Sequence, residues 1–556
     1  MKKYSYLFFI FIFFLHFPLI SQADWQTVFG GSVLYPPHKA TFGFISVTEG
    51  KLLNACTENG KIIWQKKLNH NSSSLYTITP NDFIYIISED KMKISLYNPS
   101  GIFLWEKVLP EVAYRAPLIG RDGRVFISGK KNLFCYGLQG TRKWQINTEI
   151  ASNNFPLLEL NDGSLLLILD KTIKNNSIAC RISPYGAILE EIQFSGKIID
   201  TCIYSDGILL LFSNGRVGNL SVKNNVTIST WSISEKTNNL NPYKIIIQKN
   251  SFCIIYSSKN NTNASLCCYN LKTLTKQWQK TLPLLKINKN TICTAYYNRY
   301  DFYSNNYSVS YRAIDGKKLW EKTIKMPSNI KYCMLSPSGY LICTTTNWTV
   351  YGYRLYQDFS YVSNTSNLKK SYKNFQVPPA DEYPTLSNIA ISFSKGDYGT
   401  QELVFKKFLD AQKKIIFKNF YTPNAPKDLY LQTEFINALE KSETADIAEI
   451  IATILTKATD PVIIQKALQA ASKIGYDDEG KMLEAIGQLL SSKKTSIRDS
   501  TAISAINATY SICRFMGRPL FYSKGKDILL EILSFKNKNI EEYTIETLEK
   551  IILLQM

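Results

Sequence analysis

A tryptophan that recurs about every forty residues constrains the fold of this chain more than any other feature. Four segments, GKIIW, GIFLW, GTRKW and GKKLW, place a glycine four residues before the tryptophan. The full series is Trp25, Trp64, Trp105, Trp144, Trp231, Trp278 and Trp320. The interval from Trp144 to Trp231 is about two periods, and Gly186 lies four residues before Glu190 in that interval. The sequence therefore predicts eight units, one of which has lost its tryptophan.

Each unit also carries turn residues followed by short runs typical of strands. Asp122-Gly123 precedes VFIS, Asp162-Gly163 precedes LLLIL, and Ser338-Gly339 precedes YLICTT. Turn residues followed by short apolar runs are typical of β-hairpins. Four short strands per forty residues form one blade of a β-propeller. The pattern predicts an eight-bladed β-propeller over residues 24–356, and the Asp-Gly pairs are interpreted as turn chemistry.

The repeat resembles that of the PQQ-like, or quinoprotein-type, propeller family, whose units end in a turn, a glycine and a tryptophan. The resemblance covers about three-fifths of the chain and implies eight blades. It also implies that the tryptophans pack between neighbouring blades as structural residues. The WD40 propeller is the rival interpretation, but it requires Gly-His and Trp-Asp signatures. After removal of the N-terminal segment, only His38 and His70 remain to supply them.

Some propellers of this family are dehydrogenases that hold pyrroloquinoline quinone and calcium, and some carry a disulfide between adjacent cysteines. Cys267-Cys268 is the matching pair here, but alternation along a strand puts the two side chains on opposite faces. No nucleophile elbow, P-loop, dinucleotide fingerprint or HExxH motif is present. We therefore predict no catalytic residue, no cofactor and no metal ligand. The redox state of Cys267 and Cys268 stays open.

The remaining cysteines follow the blade pattern rather than a disulfide framework. The chain has 11 cysteines, an odd number, without a Cys-x-x-Cys pair. Cys56, Cys135, Cys180 and Cys268 lie four to six residues before the glycine of their units or its equivalent. They are predicted to occupy equivalent sites in separate blades, as small buried apolar side chains.

The N-terminus has the pattern of a secretory signal peptide. Two lysines precede an apolar stretch from Tyr6 to Ile20, and small residues lead to a cleavage site after Ala23. The stretch is short for a membrane span, and the first cysteine, Cys56, lies too far along for a lipid anchor. We predict a signal peptide over residues 1–23 and a soluble periplasmic protein without a later membrane span.

The net charge of +20 lies almost entirely before Phe375, because acidic and basic residues nearly balance beyond it. Export removes the chain from nucleic acid, so nucleic acid is not predicted as a partner. A basic propeller could attract an anionic component of the envelope, although a generally solvated lysine-rich surface also accounts for the charge.

The C-terminal third changes from strand alternation to helical spacing. Residues 357–384 are predicted to be a linker, and residues 385–556 a helical domain with a first hairpin around 402–418. Asp460-Pro461 predicts a helix start and Gly475 its end. Two further helix starts are predicted by capping-box spacing, namely Ser496 with Asp499 and Asn539 with Glu542.

The segment DPVIIQKALQAASKIG resembles a HEAT repeat, a helix pair that binds proteins along one face. The spacing of the helix starts suggests stacked helical hairpins, that is, an α-helical solenoid. A plain helical bundle is the alternative.

These features predict a multidomain β plus α protein that acts as a non-enzymatic exported scaffold of the bacterial cell envelope. The propeller is similar to that of the BamB family, a scaffold of outer-membrane protein assembly, but BamB proteins are lipid-anchored and lack a helical extension. A protein partner would bind through the blade loops, the helical repeats or both, and the partner-binding residues are unknown. The alternatives are a PQQ-dependent oxidoreductase and a binder of anionic envelope polymer.

Overall fold

The protein is described here from a computed structural model. The described residues are 23–148, 155–160, 162–169, 177–204, 207–221, 227–231, 240–248, 250–258, 264–282, 291–296, 299–304, 307–324, 330–336, 338–355, 429–492 and 497–555. Nearly all of the predicted signal peptide, the predicted linker and the predicted hairpin around 402–418 lie outside these residues. Those three assignments stay predictions.

The first half of the propeller sequence forms short strands separated by tight turns. Its strands are β1 (Trp25–Val28), β2 (His38–Ala40), β3 (Gly43–Thr48), β4 (Leu52–Thr57), β5 (Ile62–Lys67), β6 (Ser72–Ile78), β7 (Ile84–Ser88), β8 (Lys93–Tyr97), β9 (Phe103–Val108), β10 (Leu118–Ile119), β11 (Val125–Ser128), β12 (Asn132–Tyr136), β13 (Arg142–Asn147), β14 (Leu158–Glu159), β15 (Leu165–Leu169), β16 (Ser177–Ile182) and β17 (Ile188–Phe194).

The second half continues the same pattern of short strands. Its strands are β18 (Ile198–Tyr204), β19 (Gly207–Phe212), β20 (Val217–Ser221), β21 (Thr227–Trp231), β22 (Leu240–Ile247), β23 (Ser251–Ser258), β24 (Ala264–Asn270), β25 (Lys276–Leu282), β26 (Ile292–Tyr296), β27 (Arg299–Ser304), β28 (Tyr307–Arg312), β29 (Lys318–Thr323), β30 (Ile330–Leu335), β31 (Tyr340–Thr345) and β32 (Thr349–Arg354).

The strands form eight antiparallel sheets of four strands each within the described residues. Seven sheets are meanders of four consecutive strands, from β2–β5 to β26–β29. In the eighth sheet, β1 pairs with β32 and so completes the group β30–β32 from the far end of the propeller sequence. The second and third strands of the sheets are almost wholly buried, as in β7 and β11, because both of their faces are covered. The predicted eight-bladed β-propeller is confirmed.

Seven helices follow in the described residues. They are α1 (Leu429–Ser442), α2 (Ile447–Lys457), α3 (Pro461–Ile474), α4 (Lys481–Ser492), α5 (Asp499–Met516), α6 (Pro519–Leu533) and α7 (Lys538–Gln555). Each helix packs against its next-but-one neighbour, so that α1, α3, α5 and α7 form one layer and α2, α4 and α6 a second. No helix of the described residues is both long and apolar enough to cross a membrane.

The ends of α3 are as predicted. The Asp460 carboxylate accepts a hydrogen bond from the Val462 amide at 2.8 Å, and Pro461 is the first helical residue. Gly475 adopts a left-handed φ of 64° and donates its amide to the Ala471 carbonyl, which ends the helix.

The predicted capping boxes are not the helix starts. Helix α7 begins at Lys538, so Asn539 is already helical, and the Asn537 side chain caps the helix by accepting from the Asn539 amide at 3.0 Å. Helix α5 begins at Asp499 with Arg498 in the capping position. Ser496 lies outside the described residues. Asn537 lies two residues before Asn539 and offers the same side-chain amide oxygen, so it can cap α7 in place of Asn539.

The contacts within the chain divide it into two compact units. The first contains residues 1–67 and 197–363, and the second contains residues 68–196 and 364–556. Three sheets, β6–β9, β10–β13 and β14–β17, therefore belong to the same unit as the helices. The predicted domain boundaries stay a prediction.

Candidate functional site

Four tryptophans of the series lie against the turn glycine of a neighbouring sheet, namely Trp25, Trp105, Trp144 and Trp278. In the second unit, a Cβ atom added to Gly140 would lie 3.0 Å from the indole of Trp105, and one added to Gly186 would lie 2.9 Å from Trp144. Both glycines have a left-handed φ, of 75° and 86°. A side chain at either position would therefore meet the indole and strain the backbone.

The indole nitrogens at these joints are hydrogen-bonded. Trp105 Nε1 donates to the Leu138 carbonyl, and Trp144 Nε1 donates to the Pro184 carbonyl, both at 2.9 Å. In the first unit Trp278 donates to the Ala313 carbonyl at 2.9 Å and packs over Gly316. Each of these indoles therefore combines apolar burial with a satisfied donor.

The other tryptophans of the series are placed as follows. Trp25 is half-buried, stacks on Phe44 with ring centroids 6.4 Å apart, and lies over Gly60. Trp64 and Trp320 are half-buried on β5 and β29, paired with Ala55 and Ser310. Trp231 pairs with Val217, but its side chain lies outside the described set.

The repeat unit that lacks a tryptophan has an ionic cluster at the position of the indole. Glu190 holds the register position opposite Arg181, where Trp144 stands opposite Cys135 in the preceding sheet. The Arg181 guanidinium donates to Glu190 at 2.7 Å and to the Ser164 hydroxyl at 2.9 Å, and it also pairs with Asp162. The Asp162 of the predicted Asp-Gly turn thus also holds an arginine.

The predicted equivalence of four cysteines is only half right. Cys135 and Cys268 each stand opposite a tryptophan, Trp144 and Trp278. Cys56 pairs with Ile62 and Cys180 with Glu191, one residue out of that register, so their side chains point to the other face of the sheet. The distance from each cysteine to the glycine of its repeat varies between four and six residues, whereas side chains change face at every residue of a strand. The spacing therefore does not determine which face a cysteine occupies.

The adjacent cysteines are placed as strand alternation predicts. Cys267 stands opposite Gln279 and Cys268 opposite Trp278, and both are buried and not joined in a disulfide. Burial raises the pKa of Cys268 to about 11. Within the described residues, no three His, Cys, Asp or Glu side chains are grouped as metal ligands would be.

The structure does bring together a serine, a histidine and a glutamate that the sequence analysis did not anticipate. Ser95 Oγ lies 2.7 Å from His70 Nε2 and donates to Glu106 Oε2 at 3.0 Å. The Ser95 side chain is fully buried within its sheet, so no substrate can reach the hydroxyl. The Glu106 carboxylate accepts from the serine rather than orienting the far ring nitrogen, Nδ1, which is bonded to the Asn71 carbonyl at 2.9 Å. This cluster is structural.

The other histidine, His38, lies on β2 opposite Ile45. Burial lowers the pKa of His38 to about 4, so its imidazole is neutral at neutral pH.

In the second unit, the loops that join successive helices lie on the hairpin turns of two blades. After α1, Glu443 O accepts from the Leu138 amide at 3.1 Å, and the Ala445 amide donates to the Asp122 carbonyl at 3.0 Å. Glu443 Oε2 also accepts from the Gln139 amide at 3.2 Å. The Asp-Gly turn and the Gly-to-Trp turn of one blade therefore both serve as docking points for the helices.

The loop after α3 makes a second set of contacts on the blade β6–β9. Asn81 donates from its side chain to Asp478 Oδ1 at 3.0 Å and to the Tyr476 hydroxyl at 3.4 Å. Phe83 packs against the rings of Tyr476 and Phe515, with centroids 6.1 and 5.5 Å away. Burial, followed by the charge of Asp478, raises the pKa of Tyr476, which keeps the phenol neutral.

The end of α5 makes the third set. The Asn98 side chain donates to the Arg514 carbonyl at 2.7 Å, and the Ser100 hydroxyl donates to the Gly517 carbonyl at 2.6 Å. Arg518 donates to the Asn81 carbonyl at 2.9 Å. We call the three sets together the helix–blade joint. One apolar cluster runs through it from the sheets, including Phe83 and Leu138, into the helices.

The outer face of α7 carries several exposed apolar side chains. Ile545, Ile552 and Leu553 are 43%, 44% and 66% exposed, whereas Ile540 and Ile551 on the opposite side are buried. An open depression of about 590 Å³ lies along the same face. Its lining is Lys538, Glu541, Glu542, Ile545, Glu546 and Glu549. Positions 538, 541, 545, 549 and 552 lie on one side of a helix because they are three or four residues apart.

No protein-family model matches this chain, and no curated protein matches its sequence. Among solved structures, BamB from Moraxella catarrhalis is similar with a TM-score of 0.44 and 14% sequence identity, covering 62% of this chain and 99% of that one. Sqt1 from Saccharomyces cerevisiae is similar with a TM-score of 0.45 and 10% identity, covering 60% of this chain and 99% of that one.

Proposed function

We propose that this protein is a non-enzymatic scaffold of the bacterial cell envelope, exported by its N-terminal signal sequence, which holds a protein partner on the outer face of α7. The observation that carries the proposal is the helix–blade joint. Because the helices share a continuous core with two blades of the propeller, the exposed face of α7 belongs to a helical region that is packed firmly against the blades.

The helical region has the organisation of HEAT-like repeats. Two parallel layers of alternating helices and the similar glycine ends of α3 and α5 support this assignment. In such arrays, one edge of the solenoid or one face of the end helix is free to bind a protein.

The chemistry of the α7 face favours a basic partner. Four glutamates, Glu541, Glu542, Glu546 and Glu549, surround exposed Ile545, so a partner with an apolar anchor between lysines or arginines fits it. Outer-membrane protein assembly, the role that the BamB family suggests, is one process in which such a partner could be held.

The test is a cross-linked capture from the envelope fraction with the full mature chain. Deleting the helices would be a poor test, because it would expose Phe83 and Leu138 on the blades. Instead, the double change Ile545→Glu and Leu553→Glu should reduce the amount of captured partner at least tenfold, because the apolar anchor is lost. Leu520→Glu on α6, at a site 59% exposed, is the matched control and should retain capture.

Salt distinguishes the anionic-polymer alternative. Capture that survives the α7 changes but falls steeply with added salt would indicate binding of an anionic polymer to the basic propeller, and would contradict the proposal.

A further inference from the structure

Two cysteines in the sheet that contains both β1 and β30–β32 stand directly opposite each other. Cys333 on β30 pairs with Cys343 on β31, and their Sγ atoms are 3.1 Å apart. The Ser336 amide donates to the Tyr340 carbonyl, so Ser336 and Tyr340 are a hydrogen-bonded pair of residues. Pairs with and without backbone hydrogen bonds alternate along an antiparallel ladder, and Cys333–Cys343 is the third pair after Ser336–Tyr340. Cys333 and Cys343 therefore form one of the narrow pairs without backbone hydrogen bonds, in which side chains are closest.

The two cysteines differ in how far they are exposed to solvent. Cys343 is fully buried beside Leu335, Leu341 and Tyr353, whereas Cys333 is partly exposed. Burial raises the pKa of Cys343 well above its usual value, and the neighbouring Cys333 raises it further. Cys333 is therefore the more accessible of the two residues, and its Sγ lies in contact with the Sγ of the buried Cys343.

A second pair shows that register alone does not bring two sulfurs together. Cys253 and Cys268 are also directly opposite and both are fully buried. Their sulfurs are directed elsewhere, Cys253 toward the Ile254 carbonyl at 3.8 Å and Cys268 toward the Ala313 carbonyl at 3.6 Å. This pair provides a matched control within the same unit.

We propose that Cys333 and Cys343 form a cross-strand disulfide when the protein meets an oxidant of the disulfide class, such as glutathione disulfide. The Cys333 thiolate attacks a sulfur of the oxidant, forming a mixed disulfide and releasing one thiolate. Cys343 then passes its proton to the released thiolate, attacks Cys333 Sγ and expels the second thiolate, which takes up a proton from water. The two protein thiols are oxidised, and the oxidant is reduced to two thiols.

The geometry requires little movement. The Sγ atoms must approach from 3.1 Å to the bonded distance of about 2.05 Å. Rotation about the Cα–Cβ bonds can supply this change, since the Cα atoms of a narrow antiparallel pair lie within the range that disulfides tolerate. An exported protein would meet such oxidants.

The experiment uses the folded mature protein and a tryptic peptide. The protein is incubated with glutathione disulfide, and the reaction is quenched in acid. The protein is then unfolded in denaturant, its remaining thiols are labelled with N-ethylmaleimide, and it is digested with trypsin. Lys331 and Arg354 are cleavage sites, so Cys333 and Cys343 fall in one peptide that holds no other cysteine. We expect that peptide to lose two hydrogens and to take up no maleimide, and to take up two after dithiothreitol treatment.

The peptides with Cys253 and Cys268 should stay maleimide-labelled in the same digest. Double labelling of the Cys333–Cys343 peptide after oxidation would overturn the proposal, as would Cys333 held only as a glutathione adduct or bonded to another cysteine. In Cys343→Ser, Cys333 should instead carry glutathione or maleimide. The wild-type digest decides the matter even if that variant fails to fold.

Discussion

The second unit is held together by two kinds of joint that differ in how they are built. Between its blades, one residue type is repeated, an indole over a left-handed glycine with its N–H bonded to a carbonyl, as in Trp105 with Gly140. At the helix–blade joint, each contact has its own chemistry, from Asn81 with Asp478 to Asn98 with Arg514. A repeated joint leaves a period in the sequence, whereas a joint made once leaves none.

The largest effect is expected at the indole joint. Trp144→Ala should lower the free energy of unfolding of the protein by about 3–5 kcal/mol, because a buried aromatic ring and its hydrogen bond are lost. Urea unfolding followed by circular dichroism measures the change. Trp348→Ala, at an exposed tryptophan outside the repeat series, should change it by less than about 0.5 kcal/mol. Equal losses would show that the series is not structural.

The helix–blade joint should be the next most sensitive. Asn98 is fully buried, and its side chain bonds the Arg514 carbonyl and the amides of Ser100 and Ile102. Asn98→Ala should cost about 1–3 kcal/mol, since buried polar groups lose their partner. Amide exchange in α5 and β8 should rise together. Asn71→Ala, which removes an exposed bond to Glu89, is the control, and the prediction fails if it costs as much.

Protonation of His38 should lower the free energy of unfolding of the protein. The pKa of His38 is lowered by burial from 6.5 to about 4, so the unfolded chain binds more protons between these values. Its contribution to stability is fully present above pH 6.5 and is lost as the pH falls toward 4, by at most about 1.4 kcal/mol per pH unit. His38→Gln should remove this part of the pH dependence in urea midpoints recorded from pH 7 to 4. An unchanged slope would contradict the prediction.

The smallest effect is expected where Glu190 replaces the tryptophan. Glu190→Gln should cost only about 0–1 kcal/mol, because the pair is partly exposed and Arg181 keeps Asp162 as a second partner. The loss should shrink further in high salt, which distinguishes it from the indole joints. A cost comparable to that of Trp144→Ala would mean that the ionic cluster has taken over the role of the indole in full.

Several features of the fold could be predicted because they repeat or are local. Gly-x-x-x-Trp fixed the number of blades, and Asp460-Pro461 and Gly475 fixed the ends of α3, since each acts through neighbours in sequence. The candidate site could not be predicted. Nothing in the segments around Asn81 and Tyr476 indicates that they meet, because their contact depends on how the helices lie on the blades of the same unit.

The sequence by itself determined the propeller, the change to helices and the places where glycine must stand, because these follow from periodicity and from backbone conformations that only certain residues adopt. The tertiary structure decided the register of Cys56 and Cys180, the contact between Cys333 and Cys343, and the joint between helices and blades. A shift of one residue in register exchanges the two faces of a strand, and a single long-range contact has no period, so neither can be read without the packed chain.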